Sequence, residues 1–105
     1  MTANALGLLG LARKAGKLEL GEEPVGAACR GHKARLVLLA SDAAENTADR
    51  ARRAAGSANV RCVPTPFSKT ELGAALGRGS CAALALTDEG FAKALLQKLP
   101  ANADA

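Results

Sequence analysis

The sequence predicts an α/β protein, a three-layer α/β/α sandwich made from five helices and four strands. Two continuous apolar runs, ARLVLLAS at 34–41 and CAALALT at 81–87, are the first observation behind this. A strand covered on both faces shows no polar alternation, so such runs mark the centre of a sheet and require helices on either side. The second observation is that the segments between them carry helical periodicity and helix-start signals, in alternation with the strands.

Taken in order, Leu8, Leu11, Ala12 and Ala15 fall at i, i+3, i+4 and i+7, one face of a first helix that stops at Gly16. KLEL, residues 17–20, reads as a short strand. A second helix runs from about Glu22 to Arg30; Pro24 fits there because first-turn N–H groups have no intrahelical acceptor. After the first apolar run, Asp42 and Glu45 read as an N-cap and its capping-box partner, opening a third helix that carries Arg50, Arg52 and Arg53 to Gly56. NVRCV, residues 59–63, alternates weakly and makes another strand. Ser68 and Glu71 form an S-x-x-E capping box for a fourth helix ending near Gly77. Asp88 and Glu89 open a fifth, whose core face is Ala92, Leu95, Leu96 and Leu99. No repeat or linker interrupts the pattern, so residues 1–99 are expected to form one domain and the tail PANADA, 100–105, to be disordered.

Composition narrows the function. A chain of 105 residues with 49% hydrophobic content has enough apolar side chains for one core. The formal charge of +4 and pI near 9.3 favour an anionic partner such as nucleic acid. The N-terminal stretch ANALGLLGLA has no basic segment before it and is too short to span a bilayer, so a cytoplasmic location with no membrane contact is expected. Cys29, Cys62 and Cys81 are odd in number and include no C-x-x-C pair, which speaks for reduced packing residues rather than disulfides or a zinc site.

Catalytic chemistry finds little support. His32 is the only histidine and sits in a basic turn, no serine or cysteine has a nucleophile context, and neither G-x-G-x-x-G nor G-x-x-x-x-G-K-[ST] occurs. LGAALGRGS, residues 72–80, is glycine-rich but precedes a strand, the wrong order for a nucleotide loop. Phe67 and Phe91 are the only aromatics, so stacking platforms for bases cannot be built. What the chain offers is a helix N-terminus after Gly21, glycine-containing loops and dispersed arginines and lysines, tools for gripping the shape and backbone of structured RNA.

The segments LLGLARKAGKLELGEEPVGAACRGHKARLVLLASDAAENT, FSKTELGAALG and AALALTDEGFAKAL resemble the bacterial YlxQ-type branch of the ribosomal-protein family that includes the large-subunit proteins seven-Ae and thirty-e, over residues 5 to 98. The resemblance implies a sandwich around a four-stranded mixed sheet and binding to structured RNA, since many members bind kink turns. Such members start the second helix with a glycine and present Asn, Glu and then Lys to the sheared G·A pairs, while a loop before the last strand covers an extruded base. Gly21 matches the glycine, but Glu23 stands at the Asn position, Pro24 at the Glu position and Ala27 at the Lys position. Lys33, Ala34 and Arg35 match the family's K-A-K, Leu72 and Gly73 its L-G, and Gly77, Arg78, Gly79, Ser80 and Cys81 occupy the RNA-facing loop.

These readings nominate Lys17, Gly21, Glu22, Glu23, Lys33, Arg35, Arg78, Gly79 and Ser80 as RNA-binding residues. Glu22 and Glu23 also have a structural reading, because an acid in the first turn stabilises a helix by roughly 0.3 to 1 kcal/mol. Arg13 and Lys14 are expected to converge with Lys17, Lys33 and Arg35 near the N-terminal edge of the second helix, whereas Arg50, Arg52 and Arg53 read as a solvated face. The expectation is a monomeric, non-catalytic protein without cofactor that binds ribosomal or kink-turn-like RNA and associates with the ribosome. The alternative is a protein-interaction adaptor on the same fold with weakened RNA binding.

Overall fold

The strand that organises the protein is its last. In the computed structural model, which describes residues 4–99, the elements are α1 (Ala5–Lys14), β1 (Leu18–Leu20), α2 (Glu22–Arg30), β2 (Leu36–Leu39), α3 (Glu45–Ser57), β3 (Cys62–Pro64), α4 (Lys69–Ala75), β4 (Ala83–Leu86) and α5 (Glu89–Lys98). The sheet order is β1-β4-β2-β3, so the two fully apolar strands are central, as their composition requires. β4 runs antiparallel to both neighbours and β2 is parallel to β3, which makes the sheet mixed. The tail PANADA lies outside the described residues.

Strand periodicity divides the core. Leu36 and Leu38 of β2 and Leu84 and Leu86 of β4 face α1, α4 and α5, where they meet Leu9, Leu72 and Leu95. Val37, Leu39, Ala83 and Ala85 point the other way, against Val25, Ala28 and Cys29 of α2 and Ala48, Ala51 and Ala55 of α3. Three helices cover one face and two the other.

Three local expectations change. α1 buries Ala5, Leu9 and Ala12, while Leu11 is 53% exposed. The run is apolar on every side, so periodicity alone does not select its inward face. Asp42 does not cap α3, whose N-cap is Ala44 with no side-chain bond; its Oδ1 instead accepts from the Lys69 amide, 2.8 Å away, at the first residue of α4. A cap across 27 positions leaves no local spacing to read. β3 starts later than NVRCV suggests because Asn59, at φ 63°, and Val60, whose amide bonds Ala55, are used to end α3.

The loop before β4 folds back on α4. The amide of Arg78 donates to the Gly73 carbonyl and that of Cys81 to the Lys69 carbonyl. A Cβ at Gly73 would lie 2.6 Å from the Ser80 Cα, so this approach exists only because residue 73 is glycine, and Gly77 adopts φ 72° where the chain reverses. Gly73→Ala is therefore expected to destabilise the protein by about 1 to 3 kcal/mol in chemical denaturation. Gly56→Ala, with nothing within 4 Å of its Cβ inside α3, should stabilise it by about 0.5 to 1 kcal/mol.

Candidate nucleic-acid interface

Gly21 joins β1 to α2 and sets the site. Its φ of 101° is open to glycine and strained for other residues, its amide donates to the carbonyl of Ala83 at the start of β4, and its carbonyl accepts from Val25 to begin the helix. No side chain caps this helix end. The amides of Glu22 and Glu23 lie in the first turn without an intrahelical acceptor, and Pro24 has no N–H to satisfy. Glu23, Pro24 and Ala27 are all exposed.

The Gly77–Ser80 loop feeds β4 at this same end, and all four of its residues are exposed. Ala82, at its close, accepts from Ala40 at the end of β2. Arg78 has no acidic partner within 4.0 Å among the described residues. The site thus combines an uncapped helix start, two carboxylates and a glycine-braced loop carrying one exposed guanidinium.

The nominated residues separate into two groups. Gly21, Glu22 and Glu23 share a sheet end with the entry of β4. Lys17, Lys33 and Arg35 lie at the other: the Lys17 carbonyl accepts from Thr87, the Arg35 amide donates to Leu86, and Lys33 follows the C-terminus of α2. Arg35 Nε is 4.0 Å from Glu89 Oε1 there. The expected convergence of basic residues on the α2 start does not occur, because β1 leads away from Lys17 to Gly21 and α2 runs back, so the residues before β1 and after α2 meet at the far sheet end. Arg13 goes elsewhere again, donating to the Leu76 carbonyl at the C-terminus of α4, and with Lys14 lines a groove beside Gly77.

Arg50 is the residue that sequence reasoning missed. Its Nη1 lies 3.2 Å from Glu22 Oε1 and 3.4 Å from Oε2, so α3 supplies a cation to the first residue of α2. Its place on a polar helix face looked like simple solvation, and no signal in the chain links positions 28 apart. The pair leaves Glu22 committed and Glu23 as the exposed carboxylate of the site.

The Ribosomal protein L7Ae/L30e/S12e/Gadd45 family matches residues 3–96. The chain belongs to this family. The RNA-binding protein YlxQ of Enterococcus faecium is 38% identical over 89 residues, covering 85% of this chain and 84% of that protein. The RNA-binding protein YlxQ of Bacillus subtilis is 38% identical over 96 residues, covering 88% and 91%. A solved structure of a protein of unknown function from Bacillus halodurans superposes with a TM-score of 0.85 at 32% identity, over 92% of this chain and 97% of that one.

Among the described residues no helix is long and apolar enough to cross a membrane, and no group of three His, Cys, Asp or Glu side chains is placed to hold a metal. Cys29, Cys62 and Cys81 are free thiols. Burial pushes each thiol above its ordinary value, partly offset at Cys29 by Arg30, at Cys62 by Arg52 and at Cys81 by the Ala83 backbone and Arg78. Raised values mean less thiolate at a given pH. A disulfide reagent at pH 8 should therefore label the native protein more slowly than the unfolded chain, with half-buried Cys62 reacting before buried Cys29 and Cys81.

Proposed function

We propose that this protein binds structured RNA, without catalysing a reaction, through the sheet end where Gly21 starts α2 and the Arg78 loop enters β4. The observation that carries the reading is that placement: an uncapped helix start and an exposed, glycine-braced basic loop lie at one end of the sheet in a family whose similar members are named RNA-binding proteins. We take ribosomal RNA as the partner, bound in the cytoplasm by the protein as a monomer of one domain over residues 1–99. Glu23 accepts hydrogen bonds from base amino groups, while Arg78 and the loop amides of Gly79 and Ser80 take phosphates. Glu22 orients the helix start through Arg50. Lys17, Lys33 and Arg35 contact only RNA long enough to reach the far sheet end.

Binding of this kind is phosphate-dominated, so the logarithm of affinity for purified ribosomal RNA should fall with that of salt by about 0.7 to 0.9 per contact between roughly 50 and 200 mM. A flat response overturns the proposal. Arg78→Ala should weaken binding, Lys33→Ala should weaken it only with long RNA, and Arg52→Ala, paired with Asp49 at 3.1 Å, should change little.

Glu23 cannot donate, Pro24 offers neither a side-chain acceptor nor an N–H, and Ala27 has no charge. Hydrogen bonds to charged groups are worth about 1.5 to 3 kcal/mol, so two missing contacts lower kink-turn affinity roughly a hundredfold or more. The unaltered protein should bind a standard kink turn weakly, and Glu23→Asn with Pro24→Glu and Ala27→Lys should restore binding on the same frame. Tight, selective kink-turn binding by the unaltered protein, in titrations beside a matched duplex, would show that the frame and loop suffice.

A further inference from the structure

The outer seam between α2 and α3 is a groove that joins the two ends of the sheet. It begins at Glu22, Glu23 and Arg50, passes over Val25, Gly26, Ala51 and Ala54, and reaches Arg30. From there it continues past Arg30 and Arg53 to His32. Its floor is made of small side chains, so a ligand can lie close to both helices. Gly26 makes room for the Arg30 guanidinium, since a Cβ there would stand 3.1 Å from Nη1. Arg30 and Arg53 have no acidic partner within 4.0 Å among the described residues, and Arg50 neutralises Glu22.

We infer that this groove is a track for an RNA sugar–phosphate strand, leading from the Gly21 end of the protein toward Lys33 and Arg35. The inference rests on the proposed RNA function and extends it to residues outside the family's helix start and loop. Charge complementarity selects the occupant. Guanidinium groups on Arg30 and Arg53 face the groove without counter-ions, and planar guanidinium forks match phosphate oxygens. A protein partner would need large apolar or aromatic anchors. The groove has none, and the one exposed large hydrophobic among the described residues, Leu11, is on α1 in the opposite helix layer. At about 1.5 Å per residue, Glu22 to Arg30 spans about 12 Å, long enough for consecutive phosphates to meet Arg50, Arg30 and Arg53 in turn.

The track also explains why cations stand at both sheet ends. A strand that leaves the base-contacting site at Glu23 follows α2 along its length and arrives where Lys33 and Arg35 are exposed.

Arginine modification by phenylglyoxal, read residue by residue by mass spectrometry, tests this with purified ribosomal RNA at low salt. RNA should protect Arg30, Arg53 and Arg78 and leave Arg52 reactive. Arg30→Ala with Arg53→Ala should weaken binding roughly tenfold and lower the salt slope by about 1.5 to 2, whereas Arg52→Ala with Lys93→Ala, which removes the same charge outside the groove, should leave both near the unaltered values. All four side chains are exposed, so folding is retained in both variants. Protection of Arg78 with Arg30 and Arg53 still reactive overturns the track and leaves the RNA function standing. Absence of RNA binding by the unaltered protein overturns both. Protection of the groove by polyglutamate but not by RNA assigns it to an acidic protein and overturns the track alone.

Discussion

The alternation of alanine and leucine along β4 is the constraint on which the rest of the structure depends. Ala83 and Ala85 face one side of the sheet and Leu84 and Leu86 the other, in the one strand paired on both edges to β1 and β2. Leucine fills the layer under α1, α4 and α5. On the alanine side there is little volume to fill, and α3 answers with Ala48, Ala51 and Ala55. Close packing at interior density then draws α2 and α3 onto the sheet and toward each other. Arg50 comes within reach of Glu22 because the two helices share that layer.

Two glycines shape the proposed site on this scaffold. Gly21 lets the chain leave the edge strand and enter α2 in a single step while its amide remains tied to β4. Gly73 lets the loop carrying Arg78 lie against α4 rather than project from it. Both act through what a side chain would obstruct. The positions of the proposed RNA-contacting groups therefore rest on backbone contacts, which hold whatever side chains the α2 surface carries.

Much of this was legible in the chain. The central strands announced themselves as apolar runs, and Ser68 with Glu71 predicted a capping box that the structure contains in full. Pro24 located the start of α2, because a proline is tolerated there and not a turn later. What could not be read had non-local causes. α1 is apolar all round, so only its neighbours decide that Leu9 rather than Leu11 is inside. Asp42 has the spacing of a cap for α3, but the amide it meets belongs to α4. Lys17, Lys33 and Arg35 flank the β1–α2 unit in sequence, and nothing local says that β1 and then a helix of nine residues return the chain to one sheet end, away from the α2 start. Arg50 is the converse case, distant in sequence and adjacent in space.

That last contact resolves why a basic protein places two carboxylates at the start of the helix facing its proposed ligand. An anion approaching the uncapped amides of α2 meets the macrodipole favourably but also meets Glu23. Glu22 adds little repulsion, since Arg50 lies at 3.2 Å. The balance disfavours phosphate at the helix start and favours groups that donate, such as the amino edges of bases. In the proposed complex, phosphates are then left to guanidinium groups placed around the helix rather than at its tip, Arg78 on the loop and Arg30 and Arg53 along the seam. A division between an acidic centre that accepts from bases and a basic surround that holds the backbone needs both signs of charge in one region, and the acids are placed where the helix itself stabilises them.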